Sequence, residues 1–290
     1  MDWKNKEFLG HAGFGAVFKC DYHGHSKPIA VKIIKQISDI EESQKEASIL
    51  SSLSHPNIIR MLGICEIDQI GYEIGIMMEF ANLGSLQRHY KNLSELQTAQ
   101  VCLDMCNGLQ YLHSKDIIHH DLKLENVLLD GDLNHELIAK IADFGLPRAM
   151  EFLGSIQYMA PELAQNHPEY NYKIDIYSLT IIIFELYTKQ RFPFQCNSIF
   201  PMAKIKAVQE SIKPELPNDL PTKLLDFIPK GWHIDPEIRP DLQDFIKIFE
   251  EMIELQSTQS DLQEEVTSLT IRKHIDNLGK RLLIDREVKM

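Results

Sequence analysis

Two short polar segments of the chain carry residue types that can do chemistry: 119–126, with the letters HHDLKLEN, and 143–145, with the letters DFG. Transfer of a phosphoryl group needs a carboxylate near the accepting hydroxyl and oxygen ligands for Mg²⁺ beside the phosphates. Asp121 can supply the carboxylate, and Asn126 and Asp143 can supply the metal ligands. A surface turn with an N-capping aspartate is the alternative, and the spacing of the two segments favours the chemical interpretation.

Apolar runs beside these segments predict the elements that hold them. The runs 127–129, directly after the first segment, and 137–142, directly before Asp143, fit two strands. Helical patterns prevail from Gly84 onward, for example at 101–113. The sequence therefore places both polar segments in a mainly helical part of the chain.

The chain up to about residue 76 has a different pattern, because strand signals dominate it. One helical spacing interrupts them, at 40–53. The predicted strands lie on either side of a glycine turn at 8–9 and 16–18, and then at 29–34, 58–65 and 74–78. A strand-rich part is thus expected to precede the helical part.

Length and composition bound the class of protein. At 290 residues the chain suits one large domain or a two-lobed unit with a single active cleft, and 44% hydrophobic residues suffice for a sizeable core. The formal net charge of -12 argues against nucleic acid as a main partner and against a membrane surface. The strongest apolar run, 179–186, is shorter than the about 20 residues that span a bilayer, so it predicts a buried helix and no membrane span.

The cysteines indicate the compartment. Their spacing fits no zinc site, and they are expected to be reduced, buried thiols, as in a reducing compartment. They are Cys20, Cys65, Cys102, Cys106 and Cys196. The first residues, MDWKNKE, have no signal-peptide pattern, so we expect a cytoplasmic location.

The two polar segments resemble the catalytic loop H-R-D-L-K-x-x-N and the metal-binding D-F-G of protein kinases. Further stretches resemble kinase motifs in the kinase order: the glycine-rich loop, the V-A-I-K element, the hinge, G-T-x-x-Y-M-A-P-E, D-V-Y-S-F and W-x-x-D-P-x-x-R-P. In the same order, these stretches are residues 10–17, 30–32, 77–86, 154–162, 175–178 and 232–240. The resemblance covers about residues 5–250 and implies an α+β, bilobal protein kinase fold, in which Glu162 and Arg239 form a buried ion pair.

The resemblance implies a protein kinase domain at 1–250, with a strand-rich N-lobe at about 1–78, a hinge at about 79–84 and a helical C-lobe at about 85–250. The tail, 251–290, is expected to be helical or partly disordered. Its a/d spacing of leucine and valine is too short for a stable coiled coil. A helix packed on the C-lobe or a frayed tail is expected, with an oligomerisation element as the alternative.

As a kinase, the chain would use ATP and Mg²⁺ as cofactors and a protein as its substrate. Asp121 would accept or orient the hydroxyl of the substrate, and Lys123 would bridge Asp121 and the γ-phosphate. Asn126 and Asp143 would hold the metal ion.

Lys32 would hold the α- and β-phosphates, with a glutamate of the next helix as its partner. Glu46 fits best, and Glu41 and Glu42 compete with it. Met78 would stand at the back of the adenine pocket. The residues expected to contact the cofactor are Leu9, Gly10, His11, Ala12, Gly13, Phe14, Gly15, Ala16, Val17, Ala30, Lys32, Met78, Glu79, Ala81, Leu128 and Asp143. Ala12 departs from the glycine-rich motif, which has a second glycine there.

The resemblance also bears on the acceptor and on the kinase group. Lys123 and Ser155 are typical of serine/threonine kinases, and tyrosine specificity is the lesser alternative. Within the family the chain is most similar to receptor-interacting serine/threonine protein kinases of the tyrosine-kinase-like group, on Ile64, Cys65 and the stretches 119–123 and 140–146.

His120 stands where most catalytic loops have an arginine, which pairs with a phosphate on the activation segment in many kinases. Histidine is only partly charged near neutral pH and lacks the guanidinium fork. The segment 146–154 has no hydroxyl to phosphorylate, and it is short for the group, which a missing stretch of coding sequence would also explain. We therefore expect activity without segment phosphorylation and control through a homodimer, a signalling adaptor or helix placement. A pseudokinase or scaffold that binds nucleotide is the alternative, supported by Ala12, His120 and the short segment.

Overall fold

The computed structural model describes most of the chain. The described residues are 6–12, 15–22, 26–34, 48, 50–67, 74–133, 135–143, 156–164, 170–191 and 213–258. Strands dominate the first part of these residues and helices the last, so the fold is α+β, as predicted. The predicted helix at 40–53 lies largely outside them.

The first part of the described chain is an antiparallel sheet of five strands in the order β1-β2-β3-β5-β4. The strands are β1 Glu7–Ala12, β2 Gly15–Cys20, β3 Ile29–Ile34, β4 Met61–Glu66 and β5 Ile74–Glu79. Ile29, Val31 and Ile33 of β3 are buried on one face, beside Cys20. Because side chains alternate along a strand, Lys32 points to the other face of the sheet.

The start of β4 differs from the strand predicted at 58–65. Ile58 forms a parallel bridge with Ile141, and the N–H of Ile59 donates to the carbonyl of Ile141 at 2.9 Å. The backbone before Met61 is therefore paired with a distant strand and joins the sheet only from Met61 onward. This pairing connects the first sheet with the second.

The second sheet has two strands that lie between Asn126 and Asp143 in the sequence. Its strands are β6 Gly84–Ser85, β7 Val127–Gly131 and β8 Leu137–Ile141, in the order β6-β7-β8. Val127 pairs with Ile141, so Asn126 just before β7 and Asp143 just after β8 lie at the same end of the hairpin. Gly131 at the other end has φ +112°, and a Cβ there would lie 2.1 Å from the carbonyl oxygen of Glu136, so this turn requires glycine.

Among the described residues, five α-helices follow or flank this sheet. They are α1 Glu95–His113, α2 Pro161–Ala164, α3 Lys173–Thr188, α4 Thr222–Gly231 and α5 at 242–258. The sequence predicted α1 only from residue 101. Ser94 and Gln97 form a reciprocal capping box, which starts the helix at Glu95.

The centre of the helical part is α3. Its residues 173–186 are all buried, which confirms the buried helix predicted at 179–186. The ion pair predicted between Glu162 and Arg239 is confirmed as well: Nη1 and Nη2 of Arg239 donate to the two carboxylate oxygens of Glu162 at 2.6 and 2.8 Å. No helix in the described ranges is both long and apolar enough to cross a membrane.

Helix α5 continues past residue 250, where the sequence predicted the start of the tail, and is described to residue 258. Met252 is buried against the core, and Leu255 is exposed. The remaining tail, 259–290, lies outside the described residues. The predicted domain limits stay a prediction.

Asp104 of α1 makes folding stability depend on pH. Its carboxylate accepts hydrogen bonds from the Ala139 N–H and from Gln100, yet burial raises its pKa to about 6. An acid with a raised pKa in the folded state stabilises the fold at low pH, and this contribution is lost as the pH rises through about 6. The free energy of unfolding of Asp104→Asn, relative to that of the wild type, is expected to rise by roughly 3 kcal/mol from pH 4 to pH 7. Urea unfolding at several pH values measures this. A difference that does not change with pH would contradict this expectation.

Candidate active site

The backbone of residues 119–126, the catalytic loop, is anchored on a buried carboxylate of α3. The N–H groups of His119 and His120 donate to Asp175 at 2.9 and 3.1 Å, and the His113 ring hydrogen-bonds with the same carboxylate at 2.8 Å. Burial would raise the pKa of Asp175, but its bond to His113 and the nearby histidine charges hold that pKa below the usual value. The charged carboxylate therefore fixes the start of the loop.

Asp121 is held by two side chains of its own loop. Lys123 donates to its Oδ2 at 2.5 Å, and the Asn126 amide nitrogen donates to Oδ2 at 3.0 Å and to the Asp121 carbonyl at 2.8 Å. These bonds orient the carboxylate and neutralise part of its charge. They also turn the amide nitrogen of Asn126 towards Asp121, so its oxygen is the atom left for another ligand.

Lys32 and Asp143 meet although 111 residues separate them in the sequence. The Lys32 ammonium donates to Asp143 Oδ1 at 2.6 Å. Burial alone would raise the pKa of Asp143, but the charge and hydrogen bond of Lys32 hold it below the usual value. The pair brings a cation from the first sheet next to a carboxylate of the second.

Backbone contacts join Asp143 to the catalytic loop. The carbonyl of Ala142 hydrogen-bonds with the ring of His119 at 3.0 Å, and the N–H of Ala142 donates to the Asn126 carbonyl at 2.8 Å. Asn126 and Asp143 therefore lie side by side, as the hairpin of β7 and β8 requires.

Lys32, Asn126, Ala142 and Asp143 line one cleft, with a cavity of about 620 Å³. Most of the predicted cofactor contacts lie in its wall, namely Leu9, Gly10, His11, Val17, Ala30, Lys32, Met78, Glu79, Ala81, Leu128 and Asp143. The cleft extends between the first sheet and the β7–β8 hairpin. Its size suits a nucleotide-sized ligand.

The hinge side of the cleft offers a backbone donor. The carbonyl of Ala81 accepts from the Gly84 N–H at 3.2 Å, whereas the N–H of Ala81 has no acceptor within the described ranges. Ala81 is buried. A buried N–H in the cleft wall suits a ligand with a nitrogen or oxygen acceptor.

Some predicted contacts fall elsewhere. Gly15 and Ala16 lie in β2 but are not in the cleft wall. For Ala16 the reason is alternation, since its neighbour Val17 points into the cleft. The predicted residues Glu46, Gly13, Phe14 and Ser155, and the activation segment 144–155, lie outside the described residues.

The sequence did not single out Lys140 or Glu125. Lys140 is buried and donates to the carbonyl of Pro56 at 2.9 Å and to Glu79 Oε1 at 3.0 Å, so it joins the hinge to the loop before β4. Glu125 lies in the cleft wall beside Asn126. Its position inside the catalytic loop was the available signal.

His120 packs against an aromatic ring. Its φ is +68°, and its ring meets Tyr170 edge to face, with the centroids 5.7 Å apart. Burial lowers the pKa of His120 despite the opposing charge of Asp175. The ring is therefore neutral near pH 7, unlike an arginine.

Comparison with known proteins agrees with this geometry. The chain is 30% identical to serine/threonine-protein kinase STY17 of Arabidopsis thaliana over 256 residues, which are 83% of this chain and 43% of that protein. It is 30% identical to the dual specificity protein kinase shkB of Dictyostelium discoideum over 264 residues, 85% of this chain and 39% of that protein. It is 31% identical to mitogen-activated protein kinase kinase kinase 1a of Physcomitrium patens over 257 residues, 82% of this chain and 32% of that protein.

The chain thus spans less than half the length of these relatives. The family of the protein kinase domain matches residues 3–248, which include both sheets, the catalytic loop and the Glu162–Arg239 pair. The described part has the bilobal α+β arrangement expected of that family. By motif, fold and extended match, the chain belongs to the protein kinase domain family.

Proposed function

We propose that the chain is an ATP-dependent serine/threonine protein kinase that transfers the γ-phosphate to hydroxyl groups of a protein in intracellular signalling. The observation that carries the proposal is a cleft lined by Lys32, Asn126 and Asp143, in which Asn126 also holds the Asp121 carboxylate by a hydrogen bond. The names of STY17 and of the Physcomitrium relative support it. Asp121 and Lys32 are the carboxylate and the amine that phosphoryl transfer uses.

In the reaction, a bond forms between the acceptor oxygen and the γ-phosphorus, while the bond from that phosphorus to the β–γ bridging oxygen breaks and ADP leaves. Asp121 accepts the proton of the attacking hydroxyl. Lys123, already 2.5 Å from Asp121, offers its charge to the transferred phosphoryl group. Lys32 neutralises phosphate charge at the other end of the cleft.

The donor set near Asp143 fits Mg²⁺. Lys32 occupies Oδ1 of Asp143 and the nitrogen of Asn126 faces Asp121, so each side chain keeps one oxygen for a metal. Two protein oxygens suit Mg²⁺, which takes its other ligands from phosphates and water. The described residues hold no group of three His, Cys, Asp or Glu side chains that could bind a metal without a nucleotide. When bound, the ion neutralises charge that develops on the phosphate oxygens.

The kinase group and the cellular location are supported by fewer residues. Ile64, Cys65 and the stretch 140–146 support a place in the tyrosine-kinase-like group, near receptor-interacting protein kinases. The cysteines of the described ranges are free thiols, which supports a reducing, cytoplasmic location.

Phosphoamino-acid analysis after reaction with radiolabelled ATP and a generic acidic or basic protein tests the proposal. We expect label on serine and threonine. Label on tyrosine alone would contradict the acceptor specificity, and label on both classes would match a dual specificity kinase such as shkB. Nucleotide binding without any transfer would favour the pseudokinase or scaffold instead.

We propose that the kinase activity does not depend on a phosphate on the activation segment. The neutral ring of His120, packed against Tyr170, supports this, because it offers no charge to a phosphate. A homodimer or a signalling adaptor would then set the activity. Mass spectrometry of the active protein tests this, and a phosphate on Ser155 or Tyr158 that activity requires would rule it out.

A further inference from the structure

A second cavity lies between α1 and the loop that precedes β4. Its volume is about 500 Å³, and it shares no lining residue with the cleft. Within the described ranges, no aspartate, glutamate, lysine or arginine lines it. The side chains of its wall that can form hydrogen bonds are those of His55, Asn57, Asn107, Gln110, Tyr111 and Ser114.

The loop is fixed to the elements around the cavity. The Ser54 N–H donates to the Tyr111 hydroxyl at 3.0 Å, and the side-chain amide of Asn57 donates to the Ala139 carbonyl at 3.1 Å. Loop and helix approach so closely at Gly108 that a Cβ there would lie 2.8 Å from the Asn57 carbonyl oxygen. The protein itself therefore fixes the walls, and a ligand would not have to order them.

The His55 ring offers a hydrogen-bond donor. It stacks on the ring of Tyr111, with the centroids 4.9 Å and the planes 19° apart. Its Nδ1 accepts from the Asn57 N–H at 3.2 Å, so the hydrogen of the neutral ring is on Nε2. Burial and the charge of Lys140 lower the pKa of His55, which keeps the ring neutral near pH 7. In the described part of the chain, Nε2 has no acceptor.

Two further donors of the cavity wall are unused. The Tyr111 hydroxyl accepts a hydrogen bond but donates none to any residue that the structure describes. The side-chain amide of Asn107 forms no hydrogen bond with those residues either, whereas that of Gln110 already donates to Gln243 at 3.0 Å. With His55, the wall thus has three donors for a ligand.

These donors suit a carboxylate, whose two oxygens accept about four hydrogen bonds. Two cations are close: the Lys115 ammonium lies 6.0 Å from the centre of the Tyr111 ring, and the charge of Lys140 acts on His55. A phosphate group fits less well, because it carries nearly two charges and is typically bound by arginine. The volume is large enough for one side chain with part of its backbone.

We propose that this cavity binds the carboxylate side chain, aspartate or glutamate, of a partner polypeptide. His55 Nε2, the Tyr111 hydroxyl and the Asn107 amide donate to the carboxylate, and Lys115 attracts it. The net charge of -12 repels acidic partners as a whole, so the attraction is local and is confined to this cavity. The proposal does not depend on the kinase activity.

Titration with two short peptides tests this, with the histidine rings labelled with ¹³C and observed by NMR. The peptides are acetyl-Gly-Glu-Gly amide and its neutral counterpart, acetyl-Gly-Gln-Gly amide. The His55→Gln variant identifies the His55 signal. We expect the glutamate peptide to shift that signal and to bind about tenfold more tightly than the glutamine peptide, as a charge-assisted hydrogen bond allows.

Variants of the wall separate this site from general attraction. Asn107→Ala removes one donor, so the preference for glutamate should fall to about threefold or less. Asn92→Ala is the matched control, because Asn92 is exposed and does not line the cavity, and it should keep the full preference. If Asn107→Ala does not fold, Asn107→Asp replaces it and should abolish the preference, since its charge repels the carboxylate.

Three results would overturn the proposal. The first is a wild type that binds neither peptide or binds both equally, and the second is a full preference that persists in the Asn107 variant. The third comes from a phosphoserine peptide of the same length: binding about tenfold tighter than that of the glutamate peptide would show a phosphate site instead.

Discussion

Replacing Lys32 with methionine is expected to reduce phosphate transfer by roughly 10²- to 10³-fold or more. The substitution removes the cation that is 2.6 Å from Asp143 and leaves that buried carboxylate without its partner. The pKa of Asp143 should then rise, because Lys32 is what holds it below the usual value against burial. The proposed phosphate and metal sites would then both lose charge complementarity.

The measurement is autophosphorylation and transfer to a protein substrate, with circular dichroism to check the fold. Lys27→Met is the matched control, because Lys27 is exposed and does not line the cleft. We expect the control to transfer phosphate like the wild type. Unchanged transfer by Lys32→Met would contradict the assignment of Lys32.

Replacing Glu162 with glutamine is expected to destabilise the fold by about 3–5 kcal/mol. The side chain of Arg239 is fully buried and donates to both oxygens of Glu162. Its remaining bonds go to the backbone carbonyls of His233, Lys173 and Ile234, which cannot neutralise the charge. Glutamine keeps the shape of the side chain but leaves a buried cation without an anion.

Urea unfolding of the two proteins measures this loss. Glu237→Gln is the matched control, since Glu237 is exposed and lies close to Arg239 in the sequence, and it should change stability by less than about 0.5 kcal/mol. A loss below about 1 kcal/mol in Glu162→Gln would show that the guanidinium is stabilised in another way.

The chemical groups of the cleft could be predicted from the sequence because short motifs hold them. Asp121, Lys123 and Asn126 are within six residues, and their mutual hydrogen bonds depend on local backbone geometry. The strand that ends before Asp143 also has a local apolar signal. Local spacing therefore sufficed to bring Asn126 and Asp143 to one end of a hairpin.

Contacts between distant segments could not be predicted in this way. Lys140 meets Glu79 across 61 residues and Arg191 meets Glu125 across 66, and no periodic pattern relates such pairs. The start of β4 was predicted too early for the same reason, because Ile58 pairs with Ile141. The Ser94–Gln97 capping box was readable in principle, since it spans only three residues.

The most direct test of phosphoryl transfer in this cleft compares the wild type with Asp121→Asn in single-turnover experiments, with nucleotide binding measured in parallel. Asparagine keeps the size of the side chain but cannot accept the hydroxyl proton as a base. We predict that both proteins bind ATP with Mg²⁺ and that Asp121→Asn transfers the γ-phosphate roughly 10²- to 10⁴-fold more slowly. Equal transfer rates, or nucleotide binding with no transfer by the wild type, would contradict the account.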